Sequence, residues 1–286
     1  MNPNLNFQSG ATPLAKRLPP NLLARAILGA MLVLSPLAVA REGVEMRGTS
    51  VLARLVPAED VEKSAAQQYA QMMQQANAKN ALAPKDHPQL IRLRDIAKKL
   101  IPFTAEWNER AKGWQWEVNL ISSNQINAFC MPGGKIAFYT GILDQLKLTD
   151  DEAAMVMGHE IAHALREHAR ERIGKGAATN IGAGLVSQIF GLGQLGQTVT
   201  NYGAQLLTLQ FGREDESESD LVGMELGARA GYDPRAAVTL WQKMGAISKG
   251  APPQWLSTHP SGATRIAEIE ANLPRVMPLY QKARGK

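Results

Sequence analysis

His159-Glu160-Ile161-Ala162-His163 sets two imidazoles four residues apart, with a carboxylate directly after the first. On a helix, residues i and i+4 lie on one face a turn apart, so both rings can close on one cation. Zinc suits such donors, and Glu160 then stands beside the metal. A water bound to zinc has its pKa lowered to about 7, within reach of a neighbouring carboxylate as base. The chain has only 5 His, which leaves little room for a chance pair at this spacing.

A catalytic metal site takes a third protein ligand. The best candidate is Glu216, in Arg213-Glu214-Asp215-Glu216-Ser217-Glu218-Ser219-Asp220. Glu216 and Asp220 are four apart, so both carboxylates project from one helix face. One can bind metal while the other accepts the spare N–H of a ligating imidazole. Glu214, Asp215 and Glu218 read as an acidic, solvated helix start.

These residues need rigid elements to hold them. Thr149-Asp150-Asp151-Glu152 is a helix start, a cap followed by acidic first-turn residues, and the helix is predicted to run to about Arg172. His168, five residues past His163, is expected to turn outward into solvent. Trp114–Ile121, Asn127–Met131 and Lys135–Tyr139 read as strands, the last two a hairpin through Gly133-Gly134. An open strand edge there can pair with an extended peptide through its backbone. Further helices are predicted over Ala58–Asn77, Gln89–Leu100 (ended by Pro102), Arg235–Ser248 and Ser261–Leu273. His87 reads as a surface or capping residue, and Cys130 as a small buried one.

At 286 residues and 45% hydrophobic, the chain can bury a substantial core. A formal charge of +5 with no basic block or aromatic-interleaved basic stripe argues against nucleic-acid binding, while remaining compatible with an anionic membrane surface. Lys16, Arg17 and Arg25 precede an apolar run, Ala26 to Leu34, then Ser35-Pro36 and Ala38-Val39-Ala40. That order reads as an export signal cleaved after Ala40, or an anchor, and predicts a periplasmic protein. Residues 41–286 are then one domain. Within it, 174–211 is almost uncharged and glycine-rich: a helical hairpin packed on the core, or a lid or membrane-touching insertion.

The H-E-x-x-H run, the later E-x-x-x-D, Asn127-Ala128-Phe129-Cys130-Met131-Pro132-Gly133-Gly134 and Thr258-His259-Pro260-Ser261 with Arg265 together resemble the zinc metallopeptidases that include HtpX, the CAAX prenyl protease and their periplasmic relatives. In order and spacing the likeness covers residues 45–273; Ser219 departs from it, where relatives often carry Ala. The resemblance implies an α+β, mainly α, zincin-like fold with a small sheet or hairpin beside the motif helix. It implies one Zn2+ held by His159, His163 and Glu216, with Glu160 as general base and Asp220 orienting an imidazole. His259 and Arg265 become candidates for oxyanion or ligand support, or His259 for a latch in the metal's fourth position. Asn127, Ala128 and Phe129 become the substrate-pairing strand. The implied function is an endopeptidase of misfolded or unassembled envelope proteins; the competing reading is an envelope chaperone or assembly factor with a latent zinc site.

Overall fold

The structure, a computed structural model, describes residues 41–181, 210–247, 253–259 and 263–285. The export-signal expectation for 1–40 falls outside the described residues, as does 182–209, the greater part of the 174–211 stretch read as a hairpin, lid or membrane-touching insertion. Among the described residues no helix is long and apolar enough to cross a membrane.

Helix α1 (Ala58–Ala78) buries Val61, Ala65, Tyr69, Met73 and Ala76, a stripe at helical spacing. Helix α2 (Pro88–Leu100) is capped by His87, whose Nδ1 accepts from the Gln89 N–H at 3.2 Å. The α-helix ends at Leu100, as predicted. The chain tightens into a 3-10 helix, Ile101–Glu106, with the proline near its start, where a missing N–H costs no bond.

Three strands follow: β1 (Glu117–Ile121), β2 (Ala128–Met131) and β3 (Lys135–Tyr139), in the order β1-β3-β2. β2 and β3 form the predicted hairpin, and β1 lies parallel to β3. Gly133 and Gly134 turn the hairpin at φ 84° and 80°, a region open to glycine at no steric cost. β2 is therefore an outer strand. A short α3 (Thr140–Gln145), not predicted, leads to the motif helix.

That helix, α4 (Asp150–Leu165), starts as expected. Thr149 Oγ1 accepts from the Glu152 N–H at 3.2 Å, and the Glu152 carboxylate accepts from the Thr149 N–H at 2.9 Å. Every residue from Glu152 to Leu165 is buried, which makes α4 the central rod of the core. It does not continue to Arg172. Glu167 takes a left-handed conformation at φ 60°, its carboxylate held by Arg170 at 2.7 and 2.8 Å, and a separate helix, α5 (His168–Ile181), begins after it.

Helix α6 (Arg213–Arg229) packs across α4, followed by α7 (Ala236–Ile247), a short α8 (Gln254–Thr258) and α9 (Ala263–Ala283). The last helix outruns its predicted end, through Pro274 and Pro278. Burial of Ile269, Val276 and Leu279 offsets the interior-proline cost of about 3 kcal/mol each. The fold is thus mainly helical with one small sheet, as predicted.

The α4–α6 crossing sets the site's spacing. A Cβ on Gly158 would stand 2.6 Å from the Gly223 carbonyl oxygen, and one on Gly223 2.5 Å from the His159 nitrogen. The helices meet backbone to backbone, one residue before His159. Gly158→Ala should therefore destabilise by about 1–3 kcal/mol through overpacking. At about 2–4 °C per kcal/mol for a domain of this size, thermal melts should show the loss, whereas an unchanged Tm would mean the crossing has slack.

Candidate metal centre

Four side chains from three elements converge where α4 crosses α6. His159 and His163 project from one face of α4, Glu216 comes from the first turn of α6, and His259 follows α8. One nitrogen or oxygen of each lies within 4.8 Å of those of the others. The two Nε2 atoms of His159 and His163 are 3.1 Å apart. His259 Nδ1 stands 3.3 Å from His159 Nε2 and 3.0 Å from Glu216 Oε1. The Glu216 oxygens are 3.6 and 3.5 Å from the two Nε2 atoms. All four residues are buried, Glu216 completely.

The remaining edges of these groups are held as well. His159 Nδ1 faces Asp220 Oδ1 at 3.0 Å, as the i, i+4 carboxylate pair predicted. Arg265 from α9 donates to both Asp220 oxygens at 2.7 Å and to Glu216 Oε2 at 2.7 Å. Its guanidinium lies 3.6 Å above the Trp241 ring, which fixes its plane. Arg265 thus contacts the two carboxylates behind the imidazoles.

His168 corrects the expectation of an exposed residue. Its ring is 2% exposed, with Nδ1 3.0 Å from His163 Nδ1. The reason is the left-handed Glu167: continued α4 periodicity would have turned the ring outward, but the break folds it back. Glu218 and Asp215 likewise depart from a solvated helix start. Glu218 contacts His168, Arg166 and Arg47, and Asp215 caps the Gly212 N–H at 2.8 Å and pairs with Arg172. Glu214 is the exposed one.

Glu160 points to the cleft side of α4. Its Oε1 accepts from the Trp255 indole N–H at 2.6 Å and lies 3.5 Å from His259 Nε2. Sequence reading missed Trp255, and no local pattern marks it. A cavity beside Glu160, His163 and His259 is walled by Asn127, Ala128, Phe129 and Phe211. β2 is thus brought alongside the metal-ligand candidates, and Phe211 stacks on His163 at 4.0 Å. Cys130 is buried as predicted, and burial pushes its thiol pKa well up, away from thiolate chemistry.

The electrostatics favour positive charge at the centre of the group. Burial pushes the Asp220 carboxyl up, but Arg265 and His159 outweigh it and hold it at about 2. Burial also pushes Glu216 up, and His259, His159 and Arg265 bring it below the usual carboxylate range. Burial, then the neighbouring imidazoles and Arg265, hold His163 well below the usual histidine value, so it is neutral with a free lone pair. Burial pushes His259 down, yet Glu160 and Glu216 lift it above its ordinary value.

The donor set fits zinc. Metal–ligand bonds of about 2.0–2.1 Å in a tetrahedron put donors about 3.4 Å apart. His159 Nε2 lies 3.1 and 3.3 Å from the other two imidazoles, the Glu216 oxygens lie 3.0 to 3.6 Å from the rings, and all four donors fall within 4.8 Å of one another. The two Nε2 atoms lie 3.1 Å apart with both Nδ1 atoms already partnered, an arrangement that a cation shared between their lone pairs would satisfy.

A buried H-E-x-x-H helix, a glutamate from a second helix and a small sheet with an outer strand at the cleft define a zincin-like fold. The chain belongs to peptidase family M48, whose model matches residues 89–273. It is 40% identical over 154 residues to the mitochondrial metalloendopeptidase OMA1 of Arabidopsis thaliana, covering 54% of this chain and 31% of that protein. It is 34% identical over 219 residues to the OMA1 of Schizosaccharomyces pombe, covering 75% and 62%. It is also 27% identical over 201 residues to the metalloprotease LoiP of Escherichia coli, covering 70% and 76%. The chain therefore spans less than two thirds of the length of the two OMA1 proteins. These likenesses correct the expectation of a periplasmic location: the relatives at 40% and 34% identity are mitochondrial by name, and the signal pattern alone does not outweigh them.

Proposed function

We propose that this chain is a zinc-dependent endopeptidase in which His159, His163 and Glu216 hold the metal and Glu160 is the general base. The observation that carries the reading is the convergence of those donors within 4.8 Å of one another, with Glu160 beside them at a cavity walled by an outer strand. Zinc held there would polarise a scissile carbonyl and acidify an attacking water. Glu160 takes the water's proton and returns it to the leaving amine. The Trp255 N–H fixes the direction of that carboxylate. Asp220 orients the His159 ring, and Arg265 keeps Asp220 and Glu216 ionised and in place. In the Asn127, Ala128 and Phe129 segment the Asn127 carbonyl accepts from the Tyr139 N–H of β3, so the alternating backbone turns Ala128 to the open edge, where it can pair with an extended peptide in a recognition tolerant of sequence.

The substrate class that fits is unfolded or unassembled protein, including the envelope proteins that the sequence resemblance implies. Such chains present the free backbone that a strand edge reads. The names of the relatives, metalloendopeptidase and metalloprotease, support the reaction class. Within family M48, kinship with HtpX and the CAAX prenyl protease rests on motif order. Contact with a membrane surface rests on the uncharged 174–211 stretch.

One observation favours a closed resting state. His259 stands inside the donor group and fills the fourth position that a substrate would need. His259→Ala should then raise basal cleavage several-fold while zinc content stays near one per chain. A fall in activity would instead make His259 a helper. Cleavage of casein, abolished by a chelator and restored by zinc, tests the main proposal. A zinc-loaded protein, the His259→Ala form included, that suppresses aggregation but never cleaves would favour the chaperone or assembly-factor reading.

A further inference from the structure

His168 is a buried imidazole with no place in the reaction as described, yet it sits directly behind a metal-ligand candidate. Its Nδ1 is 3.0 Å from His163 Nδ1 and 3.4 Å from Ser219 Oγ, and its Nε2 is 3.4 Å from Glu218 Oε2. Glu218 is held in turn by Arg166 at 3.0 Å and by Arg47 at 3.0 Å, so its carboxylate is fixed and ionised. Phe211 covers a face of the His163 ring. We propose that His168 and Glu218 position His163 for metal binding by fixing its tautomer, the counterpart of what Asp220 does for His159.

The logic is proton bookkeeping. His163 binds a metal through Nε2 only if its proton sits on Nδ1. That N–H needs an acceptor, and the atom facing it is His168 Nδ1. His168 can accept there only with its own proton on Nε2, where Glu218 Oε2 takes it. The Ser219 hydroxyl, 3.4 Å from the same Nδ1, can donate to it in that tautomer. The opposite arrangement would aim an N–H of His163 at the metal position and leave the Glu218 carboxylate facing a bare ring nitrogen. A carboxylate–imidazole–imidazole chain therefore runs from the surface pair Arg47–Glu218 to the centre. Partners of this kind are worth about 10–100-fold in metal affinity.

The inference rests on the zinc reading above, and the test separates the two. Zinc affinity is measured by competition with a fluorescent chelator, alongside the Tm of the metal-free protein. His168→Ala should weaken zinc binding by about 10–100-fold. His168→Asn, whose amide oxygen can sit where Nδ1 was, should recover most of the loss. Glu218→Gln, which can present an amide N–H to His168 and reverse its tautomer, should weaken binding without a matching fall in metal-free Tm. In the zinc-loaded wild type, 15N–1H spectra of the imidazoles should show His163 protonated on Nδ1 and His168 on Nε2. A His168→Ala protein with lowered Tm and wild-type zinc affinity would overturn the proposal. An Asn variant as weak as the Ala variant would also overturn it, as would a His168 proton on Nδ1. If His168→Ala does not fold, the Asn and Gln variants and the wild-type spectrum still decide. A wild type that binds no zinc would instead sink the metal reading itself.

Discussion

Glu160→Gln should leave zinc content unchanged and reduce peptide hydrolysis by about 10²–10⁴-fold, the usual contribution of a positioned general base. The substitution is nearly isosteric. Its side-chain oxygen can still accept from the Trp255 N–H, the short bond Glu160 makes among the described residues, so the packing of α8 against α4 should survive. What disappears is the capacity to take a proton. Metal analysis and cleavage of a fluorogenic peptide, measured on the same preparation, make the comparison. Turnover within tenfold of wild type would mean that another group removes the proton. His259, 3.5 Å from Glu160, would be the first to examine.

Glu216→Ala should have the second large effect, on binding before rate. Glu216 is completely buried and touches His259, Arg265 and both motif imidazoles. Its removal deletes a ligand candidate and takes one carboxylate away from the Arg265 guanidinium. Breaking a buried charge pair from one side costs about 3–5 kcal/mol, so the Tm should fall together with zinc stoichiometry. Glu216→Gln separates the two losses: its amide oxygen can still accept from Arg265, so stability should largely recover while zinc affinity stays weakened. An Ala variant with one zinc per chain would show that His259 completes the ligand set without Glu216.

Much of this was legible because it is local. The i, i+4 imidazoles, the Thr149–Glu152 cap, the Gly133-Gly134 hairpin and the Glu216/Asp220 pair each follow from spacing within one element. What was misread turns on one backbone break or on long-range contacts. The helix was expected to reach Arg172 because nothing in Leu165-Arg166-Glu167-His168 opposes helix by propensity. The left-handed Glu167 is imposed by its surroundings, and with it the burial of His168 and the role of Glu218 went unseen. Trp255 sits 95 residues from the carboxylate it holds, and His259 lies 100 residues from His159, distances at which no periodicity applies.

The sequence by itself determined the chemistry available: two imidazoles on one helical face, a carboxylate between them, and paired carboxylates on a second helix. Helical periodicity alone fixes those relations, whatever the rest of the chain does. Tertiary structure decided which of several eligible acids does what. On paper Glu216 was the preferred ligand with Asp220 as its companion, and Glu218 read as part of a solvated helix start. The glycine-to-glycine crossing at Gly158 and Gly223 set α6 against α4 so that Glu216 meets both Nε2 atoms, Asp220 meets His159 Nδ1, and Glu218 reaches the ring behind His163. The angle and closeness of two helices is a property of their packed surfaces, and only the folded chain contains it.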